Sequence, residues 1–164
     1  MTHIHIVLHE PEIPQNTGNI ARTCAATGSS LHLIKPLGFS LNDKYMKRAG
    51  LDYWDKLDVH VYENYEDFIS KNPNAEIYYL SKKANKIYSE VAYPDEVYLM
   101  FGKETKGIPE AILKANKERC LRMPMLPGLR SLNLSNTVAI ATYEVLRQKN
   151  FEGLSSDGGL FSKD

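Results

Sequence analysis

Short apolar runs alternate with amphipathic segments along most of the chain. The runs have the length and composition of strands and lie at His3–Leu8, Leu31–Ile34, Val59–Tyr62, Ile77–Leu80 and Val97–Phe101. Val97–Phe101 is apolar at every position, which is expected of a strand that helices cover on both faces. We therefore predict that this strand occupies the centre of a parallel sheet.

Between the runs, apolar residues recur at helical spacing. This periodicity predicts helices at Asn19–Thr27, Tyr65–Lys71, Pro109–Ala115 and Asn133–Gln148. In the last segment the apolar positions from Leu134 to Val145 predict one buried stripe. Alternating strands and helices predict an α/β fold, with a mostly parallel sheet flanked by helices.

Length, composition and charge limit the classes of protein to which the chain can belong. The chain has 164 residues, which fits one domain, and its 43% hydrophobic and 24% charged residues are typical of globular proteins. Because 20 Lys and Arg balance 20 Asp and Glu, bulk positive charge cannot drive nucleic-acid binding, although local basic patches can. We predict a single domain over residues 1–151 and a flexible, Gly- and Ser-rich tail over 152–164.

The cysteines and the amino terminus indicate a cellular compartment. Cys24 and Cys120 have neither disulfide-scaffold nor zinc-finger spacing, so a reducing compartment is expected. The first residues lack the basic and long apolar regions of a signal peptide, and no apolar run is long enough to span a bilayer. We expect a cytoplasmic protein without a membrane partner.

A first polar cluster follows the opening strand. Asn16 or Thr17 is a natural helix N-cap, and Gly28 a natural C-cap. Asn16, Asn19 and Arg22 are three residues apart and predict a polar ridge along one side of the helix. Arg22 near the positive helix end is either a solvated cation or the partner of an anionic ligand.

A second cluster follows the predicted central strand, where parallel sheets bind ligands. Gly102 and Gly107 permit tight turns or a close approach of the backbone. Glu104 is then either a catalytic or orienting carboxylate, or a loop charge that balances Lys103 and Lys106. The usual nucleotide fingerprints, G-x-G-x-x-G and G-x-x-x-x-G-K-[ST], do not occur in the chain.

A third cluster, Met123 to Asn136, leads into the last helix. The candidates for the N-cap of this helix are Ser131, Asn133 and Ser135. One of them is enough to cap the helix, so the other polar residues are available for another role. The preceding loop is apolar and contains Pro124 and Pro127, so it forms either a rigid wall for a flat ligand or part of the core.

In this order the clusters resemble the motifs of the SPOUT class of RNA methyltransferases. The segments HEPEIPQNTGNIARTCAATG, KRAGLDYWD, LMFGKETKGIP and RMPMLPGLRSLNLSNTVAIATYEVLRQ are similar to those of its small single-domain tRNA 2′-O-methyltransferases, which modify the wobble nucleotide. The resemblance covers nearly the whole chain. It implies a SPOUT fold with a C-terminal trefoil knot, a homodimer and a tRNA anticodon stem-loop as partner.

The resemblance also implies a cofactor and site residues. S-adenosylmethionine would lie in the knot, and methyl transfer to a ribose hydroxyl would need no metal. The implied cofactor-binding residues are Leu80, Gly102, Ile108, Met123, Ser131 and Leu132. The implied catalytic residues are Arg22, Asn16, Glu104, Ser131 and Asn133. The implied RNA-binding residues are Lys44, Lys47, Arg48, Tyr53 and Trp54.

Other functions remain open at this stage. A related enzyme would methylate ribosomal RNA or another tRNA position, and a protein of the same fold without chemistry would only bind RNA. Whether Arg22 acts as a general base or as an electrostatic and positioning group is also open, because a guanidinium normally stays protonated.

Overall fold

A computed structural model describes residues 1–161 of the chain, apart from the side chains of residues 47 and 49–53. Within this part, parallel strands form one sheet in the order β3-β2-β1-β6-β4-β7-β5. The strands are β1 (His3–His9), β2 (Ser30–Ile34), β3 (Val59–Tyr62), β4 (Ile77–Leu80), β5 (Lys86–Ile87), β6 (Glu96–Phe101) and β7 (Cys120–Arg122). The predicted parallel α/β architecture is confirmed.

The strand β6 lies at the centre of the sheet, as its apolar sequence predicts. It pairs with β1 on one side and with β4 on the other, and Phe101 is in register with both Leu8 and Leu80. These three strands therefore end at one level. The segments that follow them meet at the same edge of the sheet, where parallel folds bind their ligands.

Helices cover both faces of the sheet. They are α1 (Pro14–Thr27), α2 (Lys44–Gly50), α3 (Tyr65–Lys71), α4 (Glu110–Ala115) and α5 (Leu134–Gln148). On one face, buried residues of α1 and α5 pack with Ile6 and Leu99 in a single cluster. On the other face, residues of α3 and α4 pack with Val7 and Met100. This two-sided burial explains why β6 is apolar at consecutive positions.

The helix α1 begins earlier than its periodicity predicts. It starts at Pro14, a residue favoured in the first helical turn, and Ile13 precedes it without a side-chain cap. The predicted N-caps Asn16 and Thr17 are wrong, since both lie inside the helix. The predicted C-cap is confirmed, because Gly28 has the left-handed φ of 69° and ends the helix.

The predicted buried stripe of α5 packs in the core of its own chain. Val138, Ala141 and Val145 are fully buried among core residues. The same helix exposes Ile140 and Tyr143, by 40% and 45% respectively, on another side. Among the described residues, no helix has both the length and the apolar composition that crossing a bilayer requires.

Candidate active site

A cavity of about 640 Å³ lies where β4 and β6 end, a volume suited to a small-molecule ligand. Its wall includes all the residues that the resemblance assigns to the cofactor: Leu80, Gly102, Ile108, Met123, Ser131 and Leu132. Asn16, Glu104 and Asn133 line the same cavity. The three polar clusters, far apart in the sequence, are thus brought together at the carboxyl edge of the sheet.

The Glu104 carboxylate connects the end of β6 to the beginning of α1. Its Oε1 accepts a hydrogen bond from the Glu12 backbone N–H at 2.8 Å. Its Oε2 accepts from the Ile13 N–H at 2.8 Å and from Asn16 Nδ2 at 3.1 Å. The carboxylate thereby supplies the negative charge and acceptors that the uncapped start of α1 lacks. These hydrogen bonds hold the start of α1 against the loop that follows β6.

The neighbouring lysine is balanced by a different acid. Lys103 Nζ lies 3.1 Å from Glu10 Oε1, so this ion pair joins the end of β1 to the loop after β6. Among the described residues, Glu104 forms no ion pair with Lys103 or Lys106, the two lysines that it would balance as a loop charge.

The Glu12 side chain forms a second contact between the same two segments. Its Oε1 accepts hydrogen bonds from the Thr105 backbone N–H at 3.0 Å and from Thr105 Oγ1 at 2.8 Å. These two hydrogen bonds lower the pKa of the Glu12 carboxyl, since they favour its charged form. No sequence pattern marks Glu12 as part of the site, because its partner is far away in the chain.

Asn133 extends the connection to α5. Its Oδ1 accepts from the Ser135 N–H at 2.9 Å and caps the helix, so Asn133 is the capping residue among the predicted candidates. Its Nδ2 donates to Asn16 Oδ1 at 3.2 Å. We name the resulting series Glu104–Asn16–Asn133 the polar clasp. One residue of each cluster contributes to it.

The predicted polar ridge of α1 is divided between two environments. Asn16 is only 7% exposed because it lies four residues before the buried Ile20 and shares its face of the helix. Asn19 and Arg22 are exposed. The prediction of a single ridge is therefore wrong for Asn16, which points into the cavity instead.

Arg22 does not line the cavity. It lies six residues after Asn16, about 9 Å further along the helix axis. Its guanidinium is exposed, and no carboxylate in the described part of the chain forms an ion pair with it. Because α1 begins at Pro14, Arg22 lies in the third turn of the helix, so the expected position near the positive helix end is wrong.

Three of the residues predicted to bind RNA, Lys44, Arg48 and Trp54, lie outside the cavity. Lys44 and Arg48 are exposed on α2, which packs against α1. Trp54 is half-buried against the core, so only part of its ring is accessible to a base. The side chains of Lys47 and Tyr53 lie outside the described residues.

Gly102 is required by its own loop. A Cβ on this residue would lie 2.0 Å from the Gly107 carbonyl carbon and 2.2 Å from the Ile108 nitrogen. The loop Gly102–Ile108 therefore closes against its own backbone at the point where the sequence analysis expects the backbone to approach a ligand. This closure places Ile108, which is 2% exposed, in the cavity wall.

Proteins of other organisms resemble the chain over nearly its whole length. A protein of Listeria monocytogenes, provisionally named as a tRNA (cytidine(34)-2′-O)-methyltransferase, is 55% identical over 92% of this chain and 90% of its own. The tRNA (cytidine(34)-2′-O)-methyltransferase of Saccharophagus degradans is 49% identical over 91% of this chain and 97% of its own.

Solved structures share the fold. A putative RNA methyltransferase from Bacillus anthracis matches with a TM-score of 0.87 and 51% identity, over 94% of this chain and 99% of its own. A structure from a study of 2-OH methylation of C/U34 on tRNA matches with a TM-score of 0.87 and 41% identity, over 92% and 99%. The model of the SpoU rRNA methylase family matches residues 3–143. The chain therefore belongs to the SpoU methylase family, within the SPOUT class of RNA methyltransferases.

Proposed function

We propose that this protein is an S-adenosylmethionine-dependent tRNA 2′-O-ribose methyltransferase that acts in the cytoplasm on cytidine or uridine 34 of the anticodon loop. The observation that carries the proposal is the polar clasp, which fixes the helix of Arg22 against a cavity of cofactor size. Support for the substrate comes from relatives about half identical to the chain, which bear the name of this activity.

The cavity fits S-adenosylmethionine in size and in chemistry. Ile108, Met123 and Leu132 offer an apolar wall for the adenine, while Leu80, Gly102 and Ser131 offer backbone groups and a hydroxyl for its polar parts. When bound, the cofactor supplies an electrophilic methyl group on a sulfonium. This methyl group would pass to the ribose 2′-oxygen as its bond to sulfur breaks and the hydroxyl proton is released to water, a displacement that requires no metal.

The residues of the polar clasp position the start of α1. Glu104 and Asn133 hold Asn16 from opposite sides, so the start of α1 has a fixed position relative to the cavity. A methyl transfer depends strongly on such positioning of its reactants. Within the proposal, Glu104, Asn16 and Asn133 organise the site, and Ser131 contacts the reactants from the exposed loop.

Arg22 acts on the RNA. A guanidinium does not readily give up its proton, so electrostatic stabilisation and phosphate positioning are its simplest roles. The absence of a carboxylate partner among the described residues leaves its planar donor face available to a phosphate. Lys44 and Arg48 on the adjacent α2 extend this cationic surface for the anticodon stem-loop.

A homodimer completes the proposal. A domain of this size offers limited surface for a tRNA, and Ile140 and Tyr143 on α5 present apolar area that its core does not use. The buried stripe of α5 does not contribute, because the core of its own chain covers it. We assign the dimer contact to the exposed side of α5.

One experiment distinguishes the proposed activity from two alternative functions. A methyltransferase for ribosomal RNA or another tRNA position would leave nucleotide 34 unchanged, and a non-catalytic RNA-binding protein would methylate nothing. Mapping of ribose methylation in RNA from cells lacking the protein is expected to show loss at tRNA nucleotide 34. Loss elsewhere, or no loss, would support one of the two alternatives.

The cofactor assignment predicts the effect of a charge in the cavity wall. Leu132→Asp should weaken S-adenosylmethionine binding at least tenfold, since it places a carboxylate where the adenine is expected. Isothermal titration calorimetry measures this change. The control is Leu129→Asp, because Leu129 is exposed in the same loop but does not line the cavity. Equal affinities of the two variants would refute the assignment of the cavity.

Substitution of Arg22 tests the catalytic assignment. Arg22→Ala should preserve the fold and the affinity for S-adenosylmethionine, while methyl transfer to tRNA falls by about a hundredfold or more, as for the loss of a positioned catalytic group. Single-turnover transfer of a labelled methyl group measures the effect. Arg119→Ala, which removes another exposed arginine, is the control.

Arg22→Lys separates the two roles of the guanidinium. Lysine keeps the charge and loses the planar fork, so substantial rescue indicates phosphate attraction, and no rescue indicates a requirement for geometry. Near wild-type transfer by Arg22→Ala would show that the assignment of Arg22 is wrong.

The dimer predicts a mass of two chains by light scattering at micromolar concentration. Tyr143→Asp should shift the mass toward a single chain, because it places a charge in an apolar contact. Tyr45→Asp is the matched control, since Tyr45 has a similar exposure, 47% against 45%, on a different helix. A wild-type protein that remains monomeric would contradict the homodimer.

A further inference from the structure

Histidine and glutamate side chains gather at the end of the sheet opposite the cavity. His3 and His5 lie two residues apart on β1 and therefore project from the same face. Glu96 begins β6 and is the direct neighbour of His3 in the parallel register. About six residues, or roughly 20 Å of extended strand, separate Glu96 from Gly102 and the cavity.

The potential ligand atoms of these side chains converge on one point. His3 Nδ1 lies 3.7 Å and His5 Nε2 lies 3.9 Å from Glu96 Oε2, and all three atoms are within 4.8 Å of one another. These distances are too long for hydrogen bonds. They are close to the separation of about 3.3 Å between neighbouring ligands of a tetrahedral zinc ion, whose bonds measure about 2.0 Å.

The nitrogen of His5 that faces this point has no partner. His5 is 8% exposed, and its Nε2 is buried without a hydrogen bond to any described residue. A buried polar atom in this condition destabilises the fold unless something binds it. The unpartnered nitrogen is an observation independent of the clustering, and it points to a ligand between His5, His3 and Glu96.

The other nitrogen of His3 is held by a carboxylate relay. Ser30 Oγ donates to Asp58 Oδ2 at 2.7 Å, so it is free to accept from His3 Nε2 at 2.8 Å. With its proton on Nε2, His3 turns the lone pair of Nδ1 toward Glu96. A metal-binding histidine is commonly oriented in this way by an acceptor on its second nitrogen.

His5 has an equivalent support. Its Nδ1 lies 2.8 Å from His32 Nε2, and His32 Nδ1 lies 2.8 Å from the Tyr62 hydroxyl. If His5 donates from Nδ1 to His32, its Nε2 carries the lone pair that a metal requires. The side chain of Glu96 is 66% exposed, so it is free to move the few tenths of an ångström that coordination needs.

We propose that His3, His5 and Glu96 bind one Zn²⁺ ion, with water in the fourth position. Two imidazoles and one carboxylate form a donor set that zinc uses in proteins. The ion would join β1 to β6 at the amino ends of the central strands. The site is separate from the cavity and takes no part in the proposed methyl transfer.

The test uses untagged full-length protein from which metal has been removed by a chelator. Calorimetric titration with ZnCl₂ should show one saturable site per chain. At a hundredfold excess of Zn²⁺ over the measured Kd, the Tm should rise by about 5–10 °C. His3→Gln and Glu96→Gln should each weaken Zn²⁺ binding at least tenfold, while the affinity for S-adenosylmethionine remains unchanged.

Glu76→Gln is the matched control, because Glu76 is an exposed glutamate directly before β4, the strand paired with β6, and lies outside the ligand set. Its Zn²⁺ affinity should equal that of the wild type. Absence of saturable binding by the wild-type protein would overturn the proposal. Wild-type affinity in Glu96→Gln, or an equal loss in Glu76→Gln, would overturn it as well.

Discussion

The Glu104 carboxylate determines how the first helix is placed against the cavity. Glu104 lies in the loop that follows the central strand, at the edge where β1, β4 and β6 end together. Its carboxylate accepts hydrogen bonds from the backbone N–H groups of Glu12 and Ile13, directly before α1. Helix starts normally take such acceptors from their own sequence. Here Ile13 provides none, so the position of α1 depends on a residue about ninety positions away.

This dependence connects the chemistry of the site to the architecture of the sheet. Asn16 is held by Glu104 on one side and by Asn133 on the other, and Asn133 also caps α5. The two helices that cover one face of the sheet are thus tied to the same loop. Because Arg22 lies on α1, the same contacts fix its position. Its guanidinium is outside the cavity and exposed to solvent. The cavity and the Arg22 guanidinium therefore lie in separate places on the molecule.

Periodicity predicted the parts of the fold that are long and buried. The central strand β6 and the buried stripe of α5 follow directly from their apolar positions. The strands β5 and β7 have only two and three residues, which is too short for any pattern, and α2 is a single short helix. The family resemblance identified the residues that line the cavity, which no spacing rule connects.

Contacts across the sheet were beyond what the sequence predicts. Capping rules placed the start of α1 at Asn16 or Thr17, because they consider only neighbouring residues, whereas the actual acceptor comes from the loop after β6. The reciprocal contact of Glu12 with Thr105 escaped notice for the same reason. The cluster of His3, His5 and Glu96 likewise becomes visible only when β1 and β6 are paired.

The most direct test of this account is a double-mutant cycle between Glu104→Gln and Asn16→Ala, measured by urea unfolding. If the carboxylate and the amide act as one connected contact, the two changes in the free energy of unfolding will not add. The account predicts a coupling of about 1 kcal/mol or more. Additivity within about 0.3–0.5 kcal/mol would contradict it, since independent sites behave in that way.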